Sequence, residues 1–211
     1  MNKKEIIALI IIAISFALGI YFYPQMPAKI ASHWNAQGAA DDYMNKFWGI
    51  FLLPIISLAI FLLFWLIQKI DPLKENINKF KKHLDGLVLI MVLFLFYLFV
   101  LTIFWNMGIK FNMSRFLLPA LGIVFFYAGI LMENAKRNWF VGVRTPWTLS
   151  SENVWNKTNK LGGKLFKIIG AIALLGILLP DYVIFFVIAP AILGSIYLLI
   201  YSYIEYQKEI K

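Results

Sequence analysis

Six stretches of the chain carry no charged residue: Ile6–Tyr23, Phe47–Ile67, Gly86–Met107, Phe116–Met132, Ile168–Leu179 and Tyr182–Ile204. A helix needs about 20 mainly apolar residues to cross the roughly 30 Å hydrocarbon core of a bilayer. Within that core every backbone N–H and C=O must be paired inside the protein, so runs of this length are helices. The fifth run is short and reaches spanning length only if it takes in Leu165, Phe166 and Lys167, the lysine snorkelling to the interface. The composition agrees, with 61% apolar and 15% charged residues against about half and a quarter in soluble domains. The spacing predicts an all-α integral membrane protein, a bundle of six transmembrane helices. It forms a single membrane domain over 1–211, with helices near 6–23, 47–67, 86–107, 116–132, 165–179 and 182–204. The first run exceeds the usual h-region of a signal peptide and has no small-x-small site after it, so it is read as a retained helix.

Orientation follows from the basic residues, which concentrate on the cytoplasmic side. With the amino terminus inside, sixteen Lys and Arg fall on cytoplasmic segments and four (Lys29, Lys46, Lys110 and Arg115) outside. Both termini are therefore expected in the cytoplasm. The net charge of +9 is accounted for by the anionic inner leaflet and requires no nucleic acid. The chain has no cysteine, which excludes disulfides, thiolate metal sites and cysteine nucleophiles.

Two connections are long: an outer loop at 24–46 and a cytoplasmic loop at 133–164. Trp34, Tyr43, Trp139, Trp147 and Trp155 give them aromatic anchors, so both are expected to fold against the membrane surface. Between the second and third runs, Leu73, Ile77, Phe80 and Leu84 recur at helical spacing among lysines. That pattern predicts a basic amphipathic helix over 71–84, lying in the interface plane as an anchor that leads into the third run. Pro54, Pro119 and Pro190 fall inside apolar runs and predict kinks. Gly170, Ala173 and Gly176 form a small-residue stripe, and Pro180–Asp181 links the last two helices. A faint inverted symmetry between the halves rests on Trp34-Asn35 and Trp155-Asn156.

The outer loop gathers His33, Trp34, Asn35, Gly38, Asp41, Asp42 and Tyr43. One imidazole and two carboxylates within nine positions could hold a divalent cation, but a single histidine without a second His or Cys is a poor zinc signature. A rigid recognition loop, with Gly38 supplying positive φ, is the favoured reading. The cytoplasmic loop gathers Asn138, Gly142, Arg144, Thr145, Pro146, Trp155 and Asn159. This chain has 17 lysines and three arginines, so Arg144 marks a place for a planar, multidentate donor. It either ties the loop to neighbouring helix ends or binds a phosphate or a protein partner. Ser150 or Ser151 would cap the next helix, whose buried stripe is Val154, Trp155, Thr158, Leu161 and Leu165. No acidic or basic side chain lies deep in any run, which weighs against proton- or ion-coupled transport. Ser15, Ser57, Thr102 and Ser195 are expected to bond the preceding helical turn. No nucleotide-binding, metalloprotease or serine-hydrolase motif is present, and no cofactor is implied.

The cytoplasmic segment Asn138–Gly163, with its Gly142-x-Arg144-Thr145-Pro146-x-Thr148-Leu149 core and Trp155, resembles the signature of the SdpI family of bacterial immunity proteins. The outer loop with Pro27, His33, Gly38, Asp41 and Tyr43 resembles the small domain of unknown function that precedes it in that family. The resemblance implies protection of a cell from a secreted, membrane-active peptide toxin, without catalysis. In some members it also implies signalling through a cytoplasmic autorepressor held at the membrane. Asn159 departs from the pattern, since the family is expected to favour histidine there. Two other functions fit the residues less well: a small-molecule transporter or permease, and a metal-dependent membrane enzyme using His33, Asp41 and Asp42.

Overall fold

The computed structural model describes residues 1–210 apart from 36, 176, 177, 179–181 and 183. In chain order the elements are α1 (Lys3–Phe22), β1 (Lys29–Trp34), β2 (Ala40–Asn45), α2 (Lys46–Ile70), α3 (Lys74–Asn106), α4 (Met113–Asn134), α5 (Pro146–Ser150), α6 (Glu152–Leu175) and α7 (Ala189–Ile210). Polar residues at the ends start these helices. Asn2 caps α1 in a reciprocal box with Glu5, Asn45 caps α2, Asn112 caps α4, and Thr145 caps α5 with Pro146 at its first position.

Helices α1, α2, α3, α4 and α7 are each long and apolar enough to cross a bilayer. Helix α6 carries Lys157, Lys160, Lys164 and Lys167, which keeps it outside that group. Gly176, Pro180 and Asp181, which the sequence placed in a packing stripe and a tight link, lie outside the described residues. The all-α expectation needs one amendment, because the outer loop forms an antiparallel β-hairpin.

The amphipathic stretch after residue 71 does not lie apart in an interface plane. It is the first part of α3, a continuous helix of 33 residues, about 50 Å long at 1.5 Å per residue. Its stripe of Ile77, Phe80 and Leu84 is buried against Ile67, Leu131, Ala135, Val141 and Trp155. Protein rather than lipid covers the apolar face, so the helix has no reason to bend into the membrane surface. Pro190 falls inside the last helical span, Phe185–Ile210, as expected, at the second residue of α7 and directly after a π-helical turn at Ile184–Ile188 that runs into it. The wider turn accommodates the carbonyl that proline leaves unpaired.

Helices α4 and α6 meet backbone to backbone. A Cβ at Gly122 would lie 2.7 Å from the Gly170 carbonyl oxygen, and one at Gly129 would lie 2.5 Å from that of Gly163. On each helix the two glycines are seven residues apart, and the pairs run in opposite order, as antiparallel helices require. Small residues let dispersion contacts and close approach hold helices together where apolar lipid gives little drive to associate. Gly170 and Ala173 of the expected stripe do face Gly122. The shared Trp-Asn pairs fall in unlike elements, a strand for Trp34 and a helix for Trp155, so they support no repeat.

The bundle has two distinct ends. Asn2 donates to Asp85 at 2.6 Å and Asn153 donates to Glu209 at 2.9 Å. These bonds put both termini at the end that carries the 135–145 loop. The hairpin closes the other end, beside the end of α3 and the start of α4.

Candidate functional site

At the hairpin end, Ile30 packs into a cluster with Met26, Ile50, Phe99 and Ile103, and the neighbouring Ala31 is fully buried. Ala31 N–H donates to Asn106 Oδ1 at 2.9 Å, and Asn112 Nδ2 donates to the Gln37 carbonyl at 2.8 Å. The hairpin is thus pinned at its flank and its tip. Gly38 has φ +76°, and a Cβ there would lie 2.5 Å from Asn112 Cγ. Only glycine fits both the left-handed backbone and the space. Asn35 closes the turn by accepting the Ala39 N–H at 3.0 Å.

This anchoring leaves a polar outer face. His33 Nδ1 lies 2.6 Å from Asp41 Oδ1, and both side chains are exposed. Asp42 does not join them; its carboxylate accepts the N–H of Tyr43 at 2.7 Å. Among the described residues no three His, Asp or Glu side chains gather as a metal site. Tyr43 is exposed beside them. Trp34 turns the other way, edge-on to Trp105 with ring centroids 5.8 Å apart. Its indole Nε1 is buried and has no hydrogen-bond partner among the described residues. Below the hairpin lies a cavity of about 330 Å³, lined by Ser32, His33, Trp34, Trp48, Leu52 and Thr102 among others. Burial lowers the pKa of nearby Lys110, whose ammonium sits 3.2 Å from the Trp105 ring centroid.

The loop end is built differently, because most of its motif is consumed by folding. Asn138 is fully buried; its amide donates to the carbonyls of Lys136 and Val141 and accepts the N–H of Phe140 and Val141. Asn159 Oδ1 accepts the Val143 N–H at 2.8 Å while its Nδ2 donates to the Trp155 carbonyl at 3.2 Å. Gly142, at φ +107°, leaves room for that amide, since a Cβ would lie 2.5 Å from Asn159 Oδ1. Trp155 donates its indole N–H to the Ala135 carbonyl at 2.8 Å. Thr145 joins Thr148 and Ser202 in a buried hydroxyl cluster, and Pro146 opens α5. Ser151 is the residue that caps α6, accepting from Val154 N–H at 3.2 Å.

Arg144 is the exception. It is exposed and donates from one nitrogen to the Trp139 carbonyl at 2.9 Å, so it braces the loop on itself and not on a neighbouring helix end. Its other nitrogens make no hydrogen bond among the described residues. Lys157, also exposed, donates to Glu205 at 2.8 Å, and that bond raises its pKa.

Several anchors were not singled out from the sequence. Asp71 is buried and accepts from Leu73 N–H at 2.6 Å and Trp139 N–H at 2.9 Å. Asn76 donates to the Arg137 carbonyl at 2.9 Å. Asp85 and Glu205 are buried acids just beyond the ends of apolar runs, both paired with lysine. A signal existed for Asp71, an acid before Pro72 at a helix boundary; Asn76 and Asn106 find their partners about 60 and 75 residues away.

A model described as the SdpI/YfhL protein family matches residues 134–202, and one described as a domain of unknown function, DUF1648, matches residues 10–58. The first contains the whole loop-end motif and the second the whole hairpin. The chain is 29% identical over 207 residues to Immunity protein SdpI of Bacillus subtilis (strain 168), covering 98% of this chain and 97% of the relative. No solved structure matches. With helices of spanning length and both matched segments in order along one chain, it is a multi-pass cell-membrane protein whose sequence is similar to the SdpI/YfhL protein family over residues 134–202.

Proposed function

We propose that this protein is a non-catalytic membrane immunity protein that protects its cell from a secreted, membrane-active peptide toxin. The observation that carries the reading is the near end-to-end similarity to a protein named for immunity. In this reading the chain is one membrane domain with six spanning helices, α6 supplying the sixth, and both termini and the loop end are cytoplasmic. The excess of lysine at that end supports the orientation.

The hairpin is the recognition element. Its exposed His33, Asp41, Asp42 and Tyr43 meet the polar part of a peptide. The cavity beneath receives an apolar side chain, with the unpartnered Trp34 N–H ready for a peptide carbonyl. Asn35 and Gly38 hold the tip in shape. At the other end Arg144 is the group available to an anionic partner surface, including a cytoplasmic repressor, while Asn138, Gly142, Thr145, Pro146, Trp155 and Asn159 hold the loop that presents it.

The test is survival of a sensitive bacterium expressing the protein and challenged with a panel of secreted toxic peptides. Protection that His33→Ala or Trp34→Phe weakens at equal membrane level is the expected result. Survival that does not change with expression for any peptide refutes the immunity reading. A Ser32→Cys label, clean because no native cysteine competes, should react from outside intact cells; reaction only after permeabilisation refutes the orientation.

A further inference from the structure

At the loop end, the start of α1 and the first third of α3 enclose an open cleft of about 460 Å³ lined by Asn2, Lys3, Lys4, Lys81, Lys82 and Asp85. The sequence presents these lysines as two separate pairs near 3 and 81, and the fold brings them to one place. Two of the four are already engaged. Lys81 donates to Glu5 at 2.9 Å and Asp85 at 3.3 Å and also to Gln68, while Lys4 donates to the Lys82 carbonyl at 2.8 Å. The ammonium groups of Lys3 and Lys82 have no partner among the described residues. Four lysines against the carboxylates of Glu5 and Asp85 leave the cleft two positive charges in excess.

An apolar strip begins directly beside this charge. Ile6, Ile7 and Ile10 on α1 are 46%, 46% and 53% exposed, on a helix of spanning length. A free inorganic anion would use the lysines and gain nothing from the isoleucines. A phospholipid uses both, with its phosphodiester at Lys3 and Lys82 and its acyl chains along the strip. Basic pockets at the water boundary between spanning helices suit anionic headgroups in this way.

We infer that the α1–α3 cleft is a binding site for an anionic phospholipid, its headgroup phosphate held by Lys3 and Lys82. The inference does not rest on the immunity reading and holds whichever leaflet the cleft faces. Lys81 and Asp85 are not ligands; with Gln68 and Glu5 they fix the floor of the cleft.

The experiment uses the full chain in nanodiscs of phosphatidylcholine doped with phosphatidylglycerol, with retained lipid counted by native mass spectrometry. Lys3→Gln/Lys82→Gln removes the two unengaged ammonium groups without touching the paired network. A lysine at an anionic surface gains about fivefold in affinity, so the double variant should bind phosphatidylglycerol roughly 25-fold more weakly. The control Lys160→Gln/Lys164→Gln removes the same charge from the exposed face of α6 and should leave binding unchanged. Both variants should melt like the wild type in pure phosphatidylcholine, which separates lipid loss from misfolding. Equal retention by Lys3→Gln/Lys82→Gln and the wild type overturns the site, as does equal loss in both double variants. Release of the lipid by millimolar inorganic phosphate overturns it too, since that behaviour belongs to a free-anion site.

Discussion

Replacing Asn159 by alanine removes the side-chain acceptor of the Val143 N–H, leaving Thr148, which donates to the Val143 carbonyl at 2.9 Å, as the side chain that still holds this turn. The Asn159 Oδ1 acceptor for Val143 N–H, 2.8 Å away, disappears, as does the Nδ2 bond to the Trp155 carbonyl at 3.2 Å. The second loss is small, because a helical carbonyl has another acceptor direction already used by the helix. The first is not small: Asn159 is 1% exposed, and an N–H stranded in a water-poor setting costs about 1–3 kcal/mol. With the void beside Gly142 the total comes to about 2–3 kcal/mol. For a chain of this size that lowers the melting temperature by about 5–10 °C. Intrinsic tryptophan fluorescence during heating in detergent reads it directly. Asn159→His is the informative companion, since a neutral imidazole offers one acceptor and one donor, as the amide does. It should recover most of the loss. Equal melting of Asn159→Ala and the wild type, or a histidine variant as unstable as the alanine one, refutes the assignment of Asn159 as the turn's acceptor.

Gly129→Leu should abolish monodisperse folded protein on size exclusion, because its first side-chain carbon would already lie 2.5 Å from the Gly163 carbonyl oxygen. A well-folded variant would mean that α4 and α6 do not touch there. Asn106→Leu strips Ala31 of its side-chain acceptor and should destabilise the hairpin by about 1–3 kcal/mol, seen as faster proteolysis between residues 23 and 46 while the helices persist. Asp71→Ala leaves the Trp139 and Leu73 N–H groups without their carboxylate and should lower stability by about 2–4 kcal/mol in chemical unfolding. Arg144→Gln should leave the melting temperature nearly unchanged, because the exposed guanidinium makes one hydrogen bond; a large drop would assign Arg144 to the scaffold.

The helical architecture could be read from the sequence because lipid-length apolar runs have few alternatives. Smaller features were also legible where the rule is local. Ser15, Ser57, Thr102 and Ser195 each donate to the carbonyl four residues earlier, and Gly38 takes the positive φ its turn demands. Features decided by distant contacts were not legible. The stretch after residue 71 has the pattern of a surface helix, and only Trp155, Leu131 and Val141 arriving from far along the chain make its stripe a core. The hairpin is short, with strands of six residues, and its hold depends on Asn106 and Asn112, which have no pattern of their own. The candidate residues separate on the same ground. The sequence brought His33, Asp41 and Asp42 together without choosing between the carboxylates, and the hairpin register makes Asp41 the partner. Likewise the burial that turns Asn138 and Asn159 into scaffold and leaves Arg144 exposed is set by tertiary packing.

Helix α3 reaches both ends of the molecule without a break. Near its last turn Asn106 holds the hairpin, and near its first turn Asn76 holds the Arg137 carbonyl of the opposite loop. A helix without proline or a bulge behaves as one stiff lever over this distance. A tilt imposed where the strands press on its far end must reappear, with opposite sense, where the loop rests on its near end. The contacts that α2 makes with α3 at Phe61, Val88 and Val92 lie between the two ends and are where such a lever would turn.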